Sequence, residues 1–366
     1  MFKTRRRITA ALTAMRTLLV ALIGLCMLIS IAPALAQKRD TAANDAVAKF
    51  YTGKTVTIII GSSPGGGYDT YARLIARHLG KFIPGHPTVT PSNMPGAGSI
   101  TAATAIYNTQ PKDGTRIGAI YASAMLEPLL GDAAHLHYDP SKFGNLGSAS
   151  NEVYACVTRA DAPIKTLDDA RSHEIVLGAT AAGGSTVDFP TILNHYFGTK
   201  FKIVRGYPGS NEVLLAMERG EVQGACGLTW SVLSVQMPNL FTDGKYRMLV
   251  QEDMSGIDSL NARGVPVVGK LAKDEKTRQA LELFYAQNVL GRPYVVAPGV
   301  PADRTAALRT AFMSALKDPD LLADAKKVRI TINPQSGDAV QALVAKVFAT
   351  PKPVVDEVRA TLGHAK

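Results

Sequence analysis

Apolar runs of strand length alternate with helical patterns along most of the chain. The first such unit begins with the apolar run Thr55–Ile60, continues through a glycine-rich segment at 61–69, and ends in a helical pattern at 70–79. The apolar residues that share one face of that helix are Tyr71, Leu74, Ile75 and Leu79. Apolar residues at this spacing predict an amphipathic helix that packs against a strand.

The same strand–loop–helix unit recurs further along the chain. The other predicted strands are Thr88–Thr90, Arg116–Tyr121, Glu174–Thr180, Phe201–Arg205 and Val222–Leu228. The other predicted helices lie near 99–107, 125–130, 187–197, 210–219, 301–316 and 339–348. Strands that alternate with helices at this spacing predict an α/β protein whose parallel strands are covered by helices on both faces.

The N terminus has the pattern of an export signal. A basic start, Met1–Arg7, is followed by an apolar segment, Leu18–Ala32, and by the small-residue pattern Ala34-Leu35-Ala36. We therefore expect a signal peptide at 1–36 and a mature protein in a bacterial periplasm. An uncleaved N-terminal anchor is the alternative, although the apolar segment is short for a membrane span.

The rest of the chain is long and only mildly basic. The sequence has 366 residues with 40 Lys and Arg and 30 Asp and Glu, and the signal segment contains five of the basic residues. A mature chain of about 330 residues is too long for one ordinary core, so two lobes are expected. Binding to nucleic acid is not expected, because no block of Lys and Arg follows the signal segment.

Two cysteines remain after the signal segment, Cys156 and Cys226, and both lie in apolar, strand-like runs. In an oxidising compartment they could form a disulfide, and the alternative is two buried free thiols. Two thiols without a nearby histidine pair do not make a zinc site. We expect no metal site and no cofactor.

The segment Gly61–Asp69 contains the nucleophile motif of serine hydrolases, G-x-S-x-G, with Ser63 as the nucleophile. Two physical features oppose this function. The oxyanion hole of such a motif uses the backbone N–H of the next residue, and Pro64 has none. Proline also favours an extended conformation at Ser63 instead of the strained turn that the nucleophile needs. A periplasmic hydrolase is therefore only the alternative function, and we expect that the protein is not an enzyme.

The same glycines fit an anion-binding loop better than a nucleotide-binding loop. The lysine of a phosphate loop is missing after Gly66, and Thr70 stands where the dinucleotide motif has its third glycine. Glycines let backbone N–H groups turn inward, and the following helix adds its positive end. Glycine-rich segments also occur at 95–98 and 183–185. Ligands of open α/β sheets bind at strand ends, so we expect a small-molecule site in a cleft between the lobes.

Several motifs together resemble the Bug-type receptors, which are the periplasmic substrate-binding proteins of tripartite tricarboxylate transporters. The motifs are Phe50-Tyr51-x-Gly-Lys54, Pro64-Gly-Gly-Gly-Tyr-Asp69, Asn93-Met-Pro-Gly-Ala-Gly98, Pro111-Lys-Asp-Gly-Thr115, Tyr207-Pro-Gly-Ser210 and Ala297-Pro-Gly-Val-Pro301. Their order and spacing agree with that family over nearly the whole mature chain.

The resemblance implies a type II periplasmic-binding-protein fold with two lobes of mixed, mainly parallel sheets joined by crossing strands. Lobe 1 would comprise 37–147 and 264–366, and lobe 2 would comprise 148–263. The implied function is that of a monomeric receptor, without catalytic residues, that delivers a small carboxylate to the membrane subunits of a tripartite transporter. A ligand-sensing protein that serves no transporter is a further alternative.

The resemblance also implies that backbone N–H groups of three loops hold the ligand. The candidate residues in these loops are Ser63, Gly65, Gly66, Gly67, Asp69, Thr180, Gly183, Ser185, Tyr207, Gly209 and Ser210. Ser123 is added because it follows a predicted strand. Three departures from the common family pattern lie at Ser62-Ser63, at Pro208 and at 291–294, so the ligand need not be a tricarboxylate.

Arg292 is a further candidate, at the second crossing between the lobes. A buried guanidinium needs a partner. One hypothesis is that Arg292 grips a ligand carboxylate with a two-pronged bond. The alternative is that it bonds to a carboxylate or to carbonyls of the hinge.

Overall fold

The computed structural model describes residues 44–62, 64–65, 67–131, 136–180, 184–328 and 330–363. The described strands form two mixed sheets, one of six strands and one of five. The signal peptide expected at 1–36 lies outside the described residues. None of the described helices is long and apolar enough to cross a membrane.

The first sheet contains strands from both ends of the described chain. Its strands are β1 (Thr55–Ile60), β2 (Thr88–Asn93), β3 (Arg116–Ala119), β4 (Gly144–Ser148), β10 (Pro293–Val296) and β11 (Gln335–Ser336). They lie in the order β11-β4-β10-β3-β1-β2. β1 is parallel to β2 and to β3, whereas β10 is antiparallel to β3 and β4. The parallel strands therefore end at one edge of this sheet, where the first glycine loop begins.

The second sheet is built from the middle of the chain. Its strands are β5 (Tyr154–Arg159), β6 (Ile175–Gly178), β7 (Phe201–Val204), β8 (Gly224–Thr229) and β9 (Tyr246–Glu252). They lie in the order β7-β6-β8-β5-β9. β6 is parallel to β7 and β8, and β5 is antiparallel to β8 and β9. The end of β9 and the start of β5 therefore lie at the same edge as the ends of β6 and β8.

Helices connect the strands and cover the sheets. They are α1 (44–51), α2 (Gly67–Leu79), α3 (Ile100–Asn108), α4 (Ala122–Leu130), α5 (Ser185–Phe197), α6 (Ser210–Arg219), α7 (Trp230–Gln236), α8 (Asp258–Asn261), α9 (Glu275–Leu290), α10 (Ala302–Ala315), α11 (Pro319–Lys327), α12 (Gly337–Phe348) and α13 (Lys352–Thr361). The apolar face predicted for α2 is buried as expected. Amphipathic spacing in the sequence therefore identified the surface of α2 that packs against its sheet.

Helix α9 joins the cores of the two sheets. The ring of Phe189, on α5, lies 4.9 Å from that of Phe284 and 5.4 Å from that of Tyr285, both on α9. Phe189 also contacts Tyr154 of β5, at 4.5 Å. The same hydrophobic cluster extends to α3 and α12. The two sheets therefore share a continuous apolar region.

The predicted α/β fold with two sheets is confirmed. The sheets are mixed, as expected, but the expectation that they are mainly parallel is wrong, since five pairs of described strands are antiparallel and four are parallel. The reason is that β4, β5 and β10 flank the two crossings, where the chain enters or leaves a sheet in the opposite direction. The lobe boundaries 37–147 plus 264–366, and 148–263, stay a prediction.

The two cysteines lie on neighbouring strands of the second sheet. Cys156 on β5 and Cys226 on β8 form a disulfide, and their Cα atoms are 3.8 Å apart. Both residues are fully buried. The sequence left open whether these cysteines form a disulfide or remain as two buried free thiols, and the structure has the disulfide.

Candidate functional site

The first glycine loop, between β1 and α2, is held in place by Asp69. The Asp69 carboxylate accepts hydrogen bonds from the Gly65 N–H at 2.8 Å, from Arg73 Nε at 2.9 Å and from Asn93 Nδ2 at 2.8 Å. Asn93 Nδ2 also donates to the backbone oxygen of Ser62. Asp69 is only 3% exposed. Its described role is therefore to fix the loop, and direct contact with a ligand stays a prediction.

The charge of Asp69 follows from these contacts. Burial opposes ionisation, but the hydrogen bonds from Arg73, Gly65 and Asn93 outweigh it and hold the pKa of Asp69 below its ordinary value. The carboxylate is therefore ionised at neutral pH and keeps its hydrogen bonds. Two other candidates in this loop, Ser63 and Gly66, lie outside the described residues.

Gly67, the first residue of α2, lies beside Arg292. A Cβ atom added to Gly67 would stand 3.6 Å from Nη2 of Arg292, which is ordinary van der Waals contact. The first N–H groups of a helix have no partner within the helix, and its N-terminus attracts negative charge. A guanidinium and a helix N-terminus therefore meet at one place, and both favour an anion.

Arg292 already has neighbours of its own in the structure. Its Nη2 lies 3.3 Å from Oε1 of Glu152, and its guanidinium lies over the rings of Tyr68 and Tyr71, at 5.0 and 4.4 Å. Its Nε is buried and has no hydrogen-bond partner among the described residues. The bond to a hinge carboxylate is therefore present, while Nε keeps an unused donor. Ligand binding by Arg292 stays a prediction.

Glu152 connects the two crossing segments. Its N–H donates to the backbone oxygen of Asn288, at the end of α9, and its Oε2 accepts from Ser231 Oγ; both distances are 3.0 Å. Burial raises the pKa of Glu152, although Arg292 and Ser231 oppose this effect. Water therefore screens the Arg292–Glu152 pair only partly. Loss of either partner would leave the charge of the other one buried without a counter-ion, which is energetically unfavourable.

Tyr68 is a residue of this site that the sequence analysis missed. Its hydroxyl donates to the backbone oxygen of Gly291 at 2.5 Å and accepts from the N–H of Ala122 at 3.2 Å. Its ring lies 4.4 Å from that of Tyr121. Tyr68 thereby brings the start of α4, whose second residue is the exposed candidate Ser123, next to the first glycine loop. The available signal was its place directly after the glycines.

The loops of the second sheet are joined through their backbones. The N–H groups of Gly206 and Tyr207 donate to the oxygens of Thr180 and Ala179, at 3.3 and 3.2 Å. The structure thus brings Thr180 and Tyr207 together, as expected for one binding surface. Gly209 and Ser210 follow at the start of α6, where both are half-buried.

Ser185 begins α5 and ties that helix to β8. Its Oγ donates to the backbone oxygen of Gly227 at 2.7 Å. Gly227 has φ +67°, and a Cβ there would lie 2.0 Å from the backbone oxygen of Ser185. Only glycine fits so close to the first turn of α5. Gly183, the candidate before this turn, lies outside the described residues.

Glu252, the last residue of β9, is a second residue that the sequence analysis missed. It is fully buried, and its Oε2 accepts from the Gly227 N–H at 2.6 Å. Its Oε1 has no hydrogen-bond partner among the described residues. Burial raises the pKa of Glu252 from 4.5 to about 8, so the carboxyl group is neutral at pH 7. No local pattern marked this residue in the sequence, because polar Gln251 separates it from the apolar run Met248–Val250.

Tyr154 lies near the charged residues of both regions described above, that of Arg292 and that of Glu252. It starts β5, opposite Glu252 in the sheet register. Burial raises the pKa of its phenol, the charges of Glu152 and Glu252 raise it further, and that of Arg292 lowers it. The Arg292 region and the Glu252 region are therefore both near enough to Tyr154 to influence its phenol, and that they form one binding site stays a prediction.

Comparison of the sequence with known proteins identifies a curated relative. No family model matches the chain. A UPF0065 protein of Agrobacterium vitis, from the TAR-I ttuE-ttuC' intergenic region, is 27% identical over 235 residues, which are 62% of each chain. The chain thus spans less than two thirds of the length of this curated relative.

Solved structures share the fold at low sequence identity. A TctC solute-binding protein from Polaromonas superposes with a TM-score of 0.65, at 19% identity, over 84% of this chain and 99% of that one. The periplasmic binding protein BugD gives 0.56 at 18% identity over 86% and 100%, and MatC of Rhodopseudomonas palustris, with bound malate, gives 0.55 at 22% over 82% and 99%. The resemblance to the Bug-type receptors that the motifs carry is therefore confirmed: the chain is similar in sequence to a UPF0065 protein, and it shares the fold of the TctC, BugD and MatC structures.

Proposed function

We propose that the protein is an exported receptor that captures a small carboxylate between its two sheets and delivers it to a tripartite tricarboxylate-type transporter. The observation that carries the proposal is the position of the Arg292 guanidinium beside Gly67, at the N-terminus of α2. A carboxylate at this place would meet a cation, a helix N-terminus and glycine backbone together. MatC, which has the same fold, holds malate.

The first glycine loop is built for binding rather than for covalent catalysis. Asp69 fixes the loop through the Gly65 N–H and also bonds to Arg73, so this carboxylate is engaged within the loop and its helix. Pro64 lacks the N–H group that an oxyanion hole after Ser63 requires. A receptor without enzyme activity therefore fits this loop better than a serine hydrolase does.

The periplasm is the expected location, since the N-terminal pattern is that of an export signal and the similar proteins are periplasmic binding proteins. A sensory role in the same compartment would use the same site. Genes for a large and a small membrane subunit beside this gene would favour transport, and a sensor kinase gene in their place would favour sensing.

Calorimetry with a panel of carboxylates tests the proposal. The mature protein is titrated with malate, adipate, citrate, glutamate and benzoate, and we expect saturable binding of at least one. Gly67→Leu should abolish that binding, because a Cβ at this position meets only Arg292 and a longer side chain fills the space in front of the guanidinium. Binding of none of the five would contradict the proposal of a carboxylate receptor, and hydrolysis of a nitrophenyl ester that depends on Ser63 would favour the hydrolase in its place.

Ala302→Leu is the matched control for Gly67→Leu. Ala302 is also the first residue of a helix, α10, and is exposed. This control should bind like the unchanged protein, and both variants should keep its melting temperature within a few degrees. Equal loss of affinity in both variants would place the ligand elsewhere.

A further inference from the structure

We propose that Glu252 donates a hydrogen bond from its carboxyl group to an oxygen atom of the bound ligand, and so selects ligands with an acceptor at that end. This inference rests on the proposed function and deepens it. It assigns one ligand contact to a side chain in a site where the other contacts are expected from backbone N–H groups and from Arg292.

The position of Glu252 is the first argument. It ends β9 at the edge of the second sheet where β6 and β8 also end. Its Oε2 accepts from the N–H of Gly227, whose own oxygen accepts from Ser185 at the start of α5. Gly227 thus connects Glu252 by hydrogen bonds to the N-terminus of α5, a helix end that attracts anions.

The unpartnered oxygen is the second argument. Oε1 of Glu252 is buried without a hydrogen-bond partner in the described parts of the chain. A buried polar group without a partner is destabilising, so a partner that the described residues do not provide is expected there. A ligand oxygen that approaches past the first turn of α5 would be such a partner.

The surroundings keep Glu252 neutral. Apart from burial, only the hydrogen bond from Gly227 affects its pKa, and no cation contributes. A neutral carboxyl group has an O–H to donate, whereas a carboxylate can only accept and would repel an anionic ligand. At neutral pH, Glu252 therefore presents a donor to the ligand.

Other ionisable groups face the same region from each neighbouring element. Tyr154 on β5 and Tyr285 on α9 are near Glu252, and burial raises the pKa of both phenols above their ordinary value. Asp253 follows Glu252 on β9 and accepts from Asn288 of α9. Glu152 and Arg292, which lie on the two crossing segments, shift the pKa of Tyr154 in opposite directions. The phenols ionise at higher pH. A change in ligand affinity near pH 8 is therefore expected to come from the ionisation of Glu252.

The sign of the pH dependence follows from this. The folded-state pKa of Glu252, about 8, lies above the ordinary 4.5. Its protonated form therefore stabilises the fold fully below about pH 4.5, and this contribution is lost as pH rises to about 8. Ligand binding should weaken through the same ionisation, because the donor disappears above about pH 8.

The test compares the unchanged protein with Glu252→Gln, which keeps the shape and a donor but cannot ionise. Malate, adipate, citrate, glutamate and benzoate are titrated at about pH 6.5 and about pH 9.5, on either side of the ionisation. For each carboxylate that binds, we expect affinity to fall about tenfold or more at the higher pH in the unchanged protein, and less than about threefold in the glutamine variant.

A second readout measures the proton itself. Titrations near pH 8 in two buffers of different ionisation enthalpy should show proton uptake on binding in the unchanged protein, and none in Glu252→Gln. Glu221→Gln, at an exposed site on the second lobe, is the control and should behave like the unchanged protein.

The outcomes separate the two proposals. Binding in the unchanged protein, with the same pH profile and proton uptake in Glu252→Gln, overturns the role of Glu252 and leaves the receptor intact. The absence of binding by all five carboxylates at both pH values overturns the receptor and the inference together. If Glu252→Gln fails to fold, the proton uptake of the unchanged protein decides, and a value of zero overturns the inference.

Discussion

Replacement of both Cys156 and Cys226 by alanine is expected to lower the free energy of unfolding by about 4 kcal/mol. The disulfide closes a loop across a sequence separation of 70 residues. Loss of the cross-link enlarges the unfolded ensemble, and the chain-entropy model gives this magnitude for a loop of that length. Urea unfolding of the mature protein, followed by circular dichroism, measures the difference.

A reductant provides the control for the disulfide. Dithiothreitol present during unfolding should destabilise the unchanged protein by a similar amount and leave the double-alanine variant unaffected. An unfolding midpoint of the unchanged protein that reductant does not shift would contradict a stabilising disulfide in the second sheet.

Removal of the guanidinium by Arg292→Leu is expected to cost about 3 kcal/mol of stability, the lower end of the range for breaking a buried ion pair. The lower end applies because the Arg292 side chain is still 18% exposed. The cost arises mainly because Glu152 would remain buried without its cation. Chemical unfolding of the ligand-free protein measures this loss.

The double variant Arg292→Leu with Glu152→Gln tests the physical reason. It removes both charges, so it should regain part of the stability that Arg292→Leu loses. Arg292→Lys keeps a charge beside Glu152 but loses the planar fork. It should therefore keep most of the stability and weaken carboxylate binding by about 1.5–3 kcal/mol. A fully stable Arg292→Leu variant would contradict the pairing with Glu152.

Local patterns in the sequence predicted much of the fold. The strands β1 and β3 and the helices α2, α5 and α10 were found near their observed bounds, because their apolar residues repeat with the period of each element. For α10, Leu308 and Phe312 are buried on one stripe as expected. The alternation of these units was sufficient to predict an α/β protein, while the expectation of two lobes came from the length of the chain and from the family resemblance.

Helix α9 escaped prediction for a physical reason. Its buried residues include the consecutive run Leu283, Phe284, Tyr285 and Ala286, so its apolar positions extend around the helix instead of following one stripe. A helix that packs between two cores loses the amphipathic signal. The helix that connects the two sheets was therefore one of the elements that the pattern did not reveal.

The sequence predicted only those parts of the candidate site whose residues lie close together along the chain. The glycine loops and Asp69 could be found because they follow strands in the sequence. The pairing of Arg292 with Glu152 joins residues 140 positions apart, and no local pattern contains it. Glu252 is recognisable only by its burial and its unpartnered oxygen, which are properties of the folded chain.

The decisive test is a crystal structure of the protein with the carboxylate that binds most tightly in calorimetry, because it locates the ligand directly. We expect one carboxylate group within hydrogen-bond distance of Arg292 or of the N–H groups at the start of α2, and ligand contacts to the loops of the second sheet. A ligand bound at an outer surface of one lobe, with the space beside Gly67 and Arg292 filled only by water, would show that the proposed binding site is wrong.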